Sequence, residues 1–276
     1  MAELKPDMVV LAESALAEFG PADQQGAVRF ATFAMERTGA PLLLAGGTRY
    51  EDDRTYNSAA LYRADGAIKM YDKVHLVPFG EFIPGDKVFT TLQKLAPVGS
   101  CTPGELKTLG LEPGPDGEHI GVAICYEDTD SAQMRRLANM GAGILVFITN
   151  DSWFSNSTEA EAHAWQATAR AIETGLAAVR VGNNGVTGTI APDGRTTWLS
   201  DSSGRPLVDS EGTMLDRVPM RPLLGADGGL RGYTTPYTAY GDIPLGVTFA
   251  LLMGGMILVK YADNYGKHRT MPLQVG

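Results

Sequence analysis

Three positions in this 276-residue chain place a reactive polar side chain just after an apolar run. Glu13 follows Asp7 to Ala12 (DMVVLA), Lys73 follows Ala67 to Tyr71, and Cys125 ends the run that begins at His119 (HIGVAI), ahead of the acidic pair Glu127-Asp128. A carboxylate, an ammonium and a thiol brought together can perform acyl transfer. The carboxylate takes the thiol proton, the thiolate attacks a carbonyl, and the ammonium stabilises the oxyanion. Each residue also has a plain reading. Cys125 could be a small buried hydrophobe, because free cysteine is among the most buried residue types. Glu13 and Lys73 could be ordinary surface charges. A helix N-terminus after Cys125 and a nearby ammonium would favour the thiolate, whereas a nearby carboxylate would oppose it, so the sign of the net shift is open.

The elements that would position these groups can be read from the pattern of apolar residues. Ala22 to Thr38 has helical spacing through Val28, Phe30, Phe33 and Met35, and Gly39 stops it. Pro41 to Gly46 (PLLLAG) and Gly143 to Thr149 (GILVFIT) suit strands buried on both faces. Asp65-Gly66 between Asn57–Arg63 and Ala67–Tyr71 predicts a hairpin. The Pro and Gly density over 78–117 predicts loops. A helix is expected over roughly 129–140. Another starts near Ser157, where Thr158 and Glu161 have capping-box spacing, and ends at Gly175. Ala178–Gly182, Gly185–Ala191 and Arg195–Leu199 read as strands, with a turn at Asp193-Gly194. Strands alternating with helices and hairpins imply an α/β fold with a buried mixed sheet, and two facing sheets between helices would accommodate it. Polar residues at strand ends in such folds converge on one rim, where ligands bind.

Composition narrows the chemistry. The net charge of −9 and the lack of a basic stripe argue against nucleic acid as a partner. Two cysteines, Cys101 and Cys125, form no disulfide framework or CxxC pair, and with four scattered histidines no metal is expected. His75 and His163 read as hydrogen-bonded structural residues. The N-terminus lacks the basic and apolar regions of a signal peptide. Ile243 to Val259 (IPLGVTFALLMGGMILV) is an uncharged run bounded by Asp242 and Lys260. It reads as a transmembrane or membrane-embedded helix, with a buried core helix as the alternative; Pro244, Gly246, Gly254 and Gly255 would weaken it in water. Lys260, Lys267, His268 and Arg269 follow, so the tail is expected in the cytoplasm and the main domain on the outer face. The partition is a catalytic domain over 1–220, a linker over 221–242, the helix over 243–260 and a tail over 261–276.

The words Tyr71-Asp72-Lys73-Val74-His75-Leu76-Val77-Pro78-Phe79-Gly80-Glu81-Phe82-Ile83-Pro84 and Ile124-Cys125-Tyr126-Glu127 resemble the nitrilase, or carbon–nitrogen hydrolase, superfamily. Within it they are similar to the periplasmic catalytic domain of bacterial apolipoprotein N-acyltransferases. Thr149–Phe154, Ala171–Gly175, Arg180–Gly185 and the ending Tyr233–Asp242 match that branch in order.

The resemblance implies an αββα sandwich that needs no cofactor. Glu13 would be the general base, Lys73 the stabiliser of the oxyanion, Cys125 the nucleophile and Glu81 a further carboxylate steering Lys73 and the incoming amine. Tyr126 and Glu127 would position the thiol, with the Tyr126 N–H as an oxyanion donor. Trp153 and Phe154 would border the path of the lipid or simply pack a loop beneath the site. Cys125 would take an acyl chain from a phospholipid as a thioester and pass it to the α-amino group of a diacylglyceryl-cysteine at a lipoprotein N-terminus. The catalytic domain would sit on the periplasmic side of the inner membrane. Against the family pattern, Leu11-Ala12 replaces Trp-Pro, and the chain starts almost at the Glu13 strand. The first strand and helix, and a preceding transmembrane bundle, are therefore expected to be missing. The alternatives are a soluble, cytoplasmic carbon–nitrogen hydrolase using the same Glu-Lys-Cys set with water, and an inactive truncated relic or interaction module.

Overall fold

The computed structural model describes residues 5–16, 24–84, 100–112, 117–154, 157–221 and 235–269. The chain forms two compact units, Met1–Thr238 and Ala239–Gly276. In the first, a four-stranded sheet has the order β1 (Met8–Val10), β2 (Leu42–Glu51), β3 (Arg54–Arg63), β4 (Ile68–Asp72). β1 and β2 are parallel, while β2–β3 and β3–β4 are antiparallel. Hence β1 and β4 run the same way, and their C-terminal ends, near Glu13 and Lys73, lie on one edge. Asp65-Gly66 makes the β3–β4 turn, with Gly66 at φ +87°, as the Asp-Gly pair predicts.

The second sheet has the order β10 (Thr196–Trp198), β9 (Gly188–Ile190), β8 (Ala178–Asn183), β7 (Ala142–Asn150), β6 (His119–Ile124), β5 (Leu109–Gly110). Its centre, β6, β7 and β8, is parallel, and the flanking strands are antiparallel. The apolar runs Pro41 to Gly46 and Gly143 to Thr149, read from sequence as buried strands, fall in β2 and β7, and the run that ends at Cys125 is β6. Alternation along β6 and β7 explains why both faces are apolar. Ile120, Val122 and Ile124 with Ile144, Val146 and Ile148 pack against Leu44, Ala59, Leu61 and Tyr71 of the first sheet. Ala123, Leu145 and Phe147 point the other way, onto Met134 and Leu137 of α2 (Ser131–Asn139) and Ala167 and Ala171 of α3 (Glu159–Thr174). On the far side, Ala27, Ala31 and Met35 of α1 (Gln24–Thr38) cover Leu43, Ala45, Ala60 and Tyr62. The layers are therefore helix, sheet, sheet, helix.

One local expectation is corrected. α3 ends at Gly175 in the left-handed conformation, φ +65°, as expected, but Thr158 makes no capping bond; Ser157 Oγ instead accepts from Glu159 N at 3.2 Å. Thr235, Tyr237 and Thr238, read as linker, are tied to the outer helices: Thr235 Oγ1 donates to the Glu173 carbonyl, Arg135 Nε to that of Tyr237 and Asn139 Nδ2 to that of Thr238. α4 spans Pro236–Tyr240.

The second unit contains α5, Ile243–Arg269, of which Ile243–Ala262 is long and apolar enough to cross a membrane, with a mean hydropathy of 1.9 over its most apolar stretch. Pro244 falls in the first turn, where its missing N–H has no intrahelical acceptor to lose, so the helix runs unbroken.

Candidate active site

Glu13 lies in a turn laid directly on β2. Leu11 N donates to Leu44 O, Gly46 N to Ala12 O and Leu16 N to Gly46 O. The fit requires glycine at 46, because a Cβ there would stand 2.6 Å from the Glu13 Cα. Glu13 is 6% exposed, and its carboxylate accepts from Asn57 Nδ2 at 2.7 Å and from Asn150 N at 2.7 Å. Burial pushes its pKa above the ordinary carboxylate value, and Lys73 and Asn57 offset that only in part.

Lys73 follows β4 immediately and is 1% exposed. Its backbone is fixed by its neighbours. Arg49 grips Asp72 with two bonds of 2.9 and 2.8 Å, Ser58 Oγ donates to the same carboxylate, and Lys73 N donates to Asn57 O. The ammonium lies 2.8 Å from Glu81 Oε1 and 4.0 Å from Glu13 Oε1. Asn57 Nδ2 also donates to Glu81 Oε1 at 2.7 Å, so one amide bridges the two carboxylates, and Val77 N holds the other Glu81 oxygen at 2.8 Å. Burial works against the charge on Lys73, but Glu13, Cys125 and Glu81 together outweigh it, so its pKa is raised and it remains an ammonium.

Cys125 opens a short 3-10 turn, Cys125–Thr129, at φ +51°, a left-handed conformation that a side chain beyond glycine rarely adopts. Glu127, fully buried, holds this turn. Its carboxylate accepts from Ile124 N at 2.8 Å, from Tyr71 Oη at 2.9 and 3.0 Å, from Val74 N at 2.8 Å and from His75 N at 3.1 Å. The turn of Cys125 and the segment after Lys73 are thus sewn together through one side chain. The thiol hydrogen-bonds with the Thr149 side chain, and it feels the charges of both Glu13 and Lys73. Burial, seconded by Glu13, pushes it up to about 12 against the pull of Lys73. The turn separates Cys125 from the N-terminus of α2, where Asp130 caps Gln133 N at 2.9 Å. The resting group is the thiol.

Glu13, Lys73, Glu81 and Cys125 therefore share one pocket at the strand ends. Tyr126, next to Cys125 in the chain, is 47% exposed and Trp153 80%, whereas Phe154 meets the His163 ring edge-on at 5.7 Å. Glu127 belongs to the framework, all its oxygens being spent on protein donors. Asn57 and Thr149 escaped sequence reading. The one available signal was Thr149, a polar residue closing an apolar strand; Asn57, at a strand margin, gave none. Chemically, the arrangement offers a buried base, a fixed cation and a thiol poised for attack on a carbonyl.

The profile of one family, Carbon-nitrogen hydrolase, matches residues 2–207. The chain belongs to the carbon–nitrogen hydrolase family. It is 30% identical over 216 residues to the apolipoprotein N-acyltransferase of Sinorhizobium medicae (strain WSM419), covering 75% of this chain and 40% of that protein. It is 33% identical over 238 residues to apolipoprotein N-acyltransferase 2 of Treponema pallidum (strain Nichols), covering 79% and 41%. The chain thus spans about two fifths of the length of these relatives. Among solved structures, a carbon–nitrogen hydrolase from Helicobacter pylori G27 superposes with a TM-score of 0.53 at 18% identity, covering 74% of this chain and 75% of that one, a likeness of fold.

Proposed function

We propose that Cys125 is the nucleophile of an acyltransferase that moves a fatty acyl chain from a phospholipid to the N-terminal amine of a diacylglyceryl-cysteine lipoprotein. The observation that carries this reading is the packing of Glu13 and the Lys73–Glu81 pair around the Cys125 thiol, in a chain whose relatives bear that name. Glu13 takes the thiol proton as sulfur attacks the ester carbonyl. Its own charge is then neutralised, which removes one of the influences opposing the thiolate while the pull of Lys73 remains. Lys73, with the Tyr126 N–H, faces the oxyanion. The C–O bond breaks, the lysophospholipid oxygen takes the proton from Glu13, and a thioester is left on Cys125. The lipoprotein amine then attacks this thioester, loses a proton to Glu13 and leaves as an amide, and the thiol is restored.

The helix from Ile243 would span the bilayer: 20 residues at 1.5 Å each give roughly 30 Å, the thickness of the hydrocarbon core. With the basic residues after it in the cytoplasm, the catalytic domain (1–220) would face the periplasm, joined by 221–242 to the membrane helix (243–260) and tail (261–276).

The test is to incubate the purified chain with phospholipid vesicles and weigh the Cys125 peptide. An adduct of one acyl chain, discharged by a diacylglyceryl-cysteine peptide and lacking in Cys125→Ala, is expected. No adduct on Cys125 sinks the proposal. Hydrolysis of small amides that Cys125→Ala abolishes, without any acyl adduct, would instead assign water as the acceptor, the reading that the family name favours.

A further inference from the structure

Behind the pocket lies a buried group of four charges. Asp128, in the Cys125 turn, and Asp151, directly after β7, are 0% and 2% exposed. His163 of α3 spans them, with Nε2 2.9 Å from Asp128 Oδ1 and Nδ1 2.7 Å from Asp151 Oδ1. Arg180 of β8, 0% exposed, spans them a second time, with Nη1 2.7 Å from Asp128 Oδ2 and Nη2 2.9 Å from Asp151 Oδ2. The fit around Asp151 is tight, since a Cβ on Gly185 would lie 2.1 Å from its Oδ2.

Each aspartate leads to a reacting group. Asp128 shares its 3-10 turn with Cys125. Asp151 accepts from Thr149 Oγ1 at 3.0 Å, and the Thr149 side chain touches the thiol. The residue between them, Asn150, gives its backbone N–H to Glu13 Oε2. One aspartate therefore belongs to the turn that carries the nucleophile, and the other to the turn that holds the base.

We infer that His163, as an imidazolium, acts with Arg180 as a positioning clamp that fixes the distance between the Cys125 thiol and the Glu13 carboxylate. The charges require this form. Two buried carboxylates against one guanidinium leave an excess negative charge; protonated His163 makes the group neutral, its Nδ1–H bonded to Asp151 and its Nε2–H paired in charge with Asp128 Oδ1 at 2.9 Å. Neutral imidazole has only one N–H, and its lone pair then faces the oxygen of the other aspartate. Facing His163 are Asp128 from the turn after β6, Asp151 from the end of β7 and Arg180 from β8; Arg170, on α3 itself, is turned to the Asp128 and Thr129 carbonyls and to Glu173. Burial lowers the pKa of His163, but the two aspartates outweigh burial and raise it to about 9. The clamp is closed at neutral pH and opens as pH rises through that value.

The inference rests on the acyl-transfer reading, and its test separates the two. The full chain is given vesicles of phosphatidylethanolamine and phosphatidylglycerol, and single-turnover acylation of Cys125 is followed by mass. Iodoacetamide alkylation of Cys125 and far-UV circular dichroism are measured alongside. His163→Gln is expected to fold and to lose about ten-fold or more in maximal acylation rate, with the half-saturating lipid concentration unchanged. The unmutated chain should lose rate as pH rises through about 9, opposite to the gain that thiol ionisation alone would give, and His163→Gln should lack that step. A folded His163→Gln with the unmutated rate and pH profile overturns the inference. Should His163→Gln not fold, the unmutated chain decides: acylation that climbs steadily from pH ~8 to ~10 with unchanged dichroism also overturns it. If no protein gains an acyl adduct, the function fails, and alkylation judges the clamp alone. The clamp stands if His163→Gln brings the Cys125 titration down from about 12 toward that of free cysteine, and falls if it does not.

Discussion

The Lys73 ammonium rests on Glu81 at 2.8 Å, while Glu13 stands off at 4.0 Å. Glu81 thus carries the ion pair and leaves Glu13 free to receive a proton. Glu81→Gln removes that anchor's charge, and Lys73 should close on Glu13, occupying the base. Acylation of Cys125 should fall roughly 10²-fold, the scale of a misplacement near 1 Å. The melting temperature should stay near that of the parent, since Glu81 is half-buried and Asn57 remains bonded to Glu13. An unchanged single-turnover rate would show that Glu13 alone holds Lys73.

Glu13→Gln should separate thiol acidity from catalysis. Glu13 is one of the causes that raise the Cys125 pKa, whereas Lys73 lowers it. Loss of the carboxylate charge therefore moves the thiol titration down from about 12, and an alkylation-versus-pH profile should shift to lower pH. Acyl transfer should nonetheless fall by roughly 10²–10⁴-fold, because the base is gone. Lys73→Met should shift the alkylation profile the other way. Alkylation unaffected by either change would mean that the three groups do not act on one another.

Glu127 accepts from four donors in a fully buried site, the Tyr71 hydroxyl and three backbone N–H groups of two segments far apart in sequence. Glu127→Ala would strand those donors, at roughly 1–3 kcal/mol for each one left unpaired. Set against a total stability of roughly 5–15 kcal/mol, the variant should unfold at markedly lower denaturant or fail to accumulate. Equilibrium urea unfolding measures this directly, and a midpoint within error of the parent would refute the framework role.

Gly46→Ala probes the base from the other side. Its Cβ would meet the Glu13 Cα at 2.6 Å and Ile148 Cδ1 at 3.0 Å, so the Glu13 turn must lift off β2. Overpacking of this kind costs roughly 1–3 kcal/mol. Acylation should drop about ten-fold or more, beyond what the loss of folded protein explains. A full rate per folded molecule would show that the turn tolerates the shift.

Much of this could be read from the chain because buried strands announce themselves. β6 and β7 are continuous apolar runs, Asp65-Gly66 fixes a hairpin, and Glu13, Lys73 and Cys125 each stand within a few residues of a strand end. Pairings between distant residues were not readable. Asn57 looks like any polar residue at a strand margin, yet β3 begins earlier, at Arg54, and places it opposite two carboxylates. Glu127 was expected to position the thiol, but that it does so from the core, through Tyr71, Val74 and His75, was not readable. His163 was recognisable as a hydrogen-bonded residue, but its partners Asp128, Asp151 and Arg180 come together only when β6, β7, β8 and α3 are assembled.

That assembly gives the stability a pH dependence of definite sign. His163 titrates at about 9 in the folded chain and near 6.5 when unfolded, so the folded state binds its proton more tightly. A raised pKa contributes stability that is fully present below pH 6.5 and is lost as pH rises through about 9. The difference between the two values corresponds to roughly 3 kcal/mol. The direction follows from the neutral four-charge group. The urea midpoint of the full chain should therefore decline between pH 6.5 and 9, and the Cys125 thiol, raised to about 12 when folded, adds to the decline only as the unfolded thiol ionises, from about pH 8.5 upward. His163→Gln should start from a lower midpoint and stay nearly level across the same window. A parent midpoint that is flat or rising from pH 6.5 to 9 would mean that His163 is not held as an imidazolium between Asp128 and Asp151.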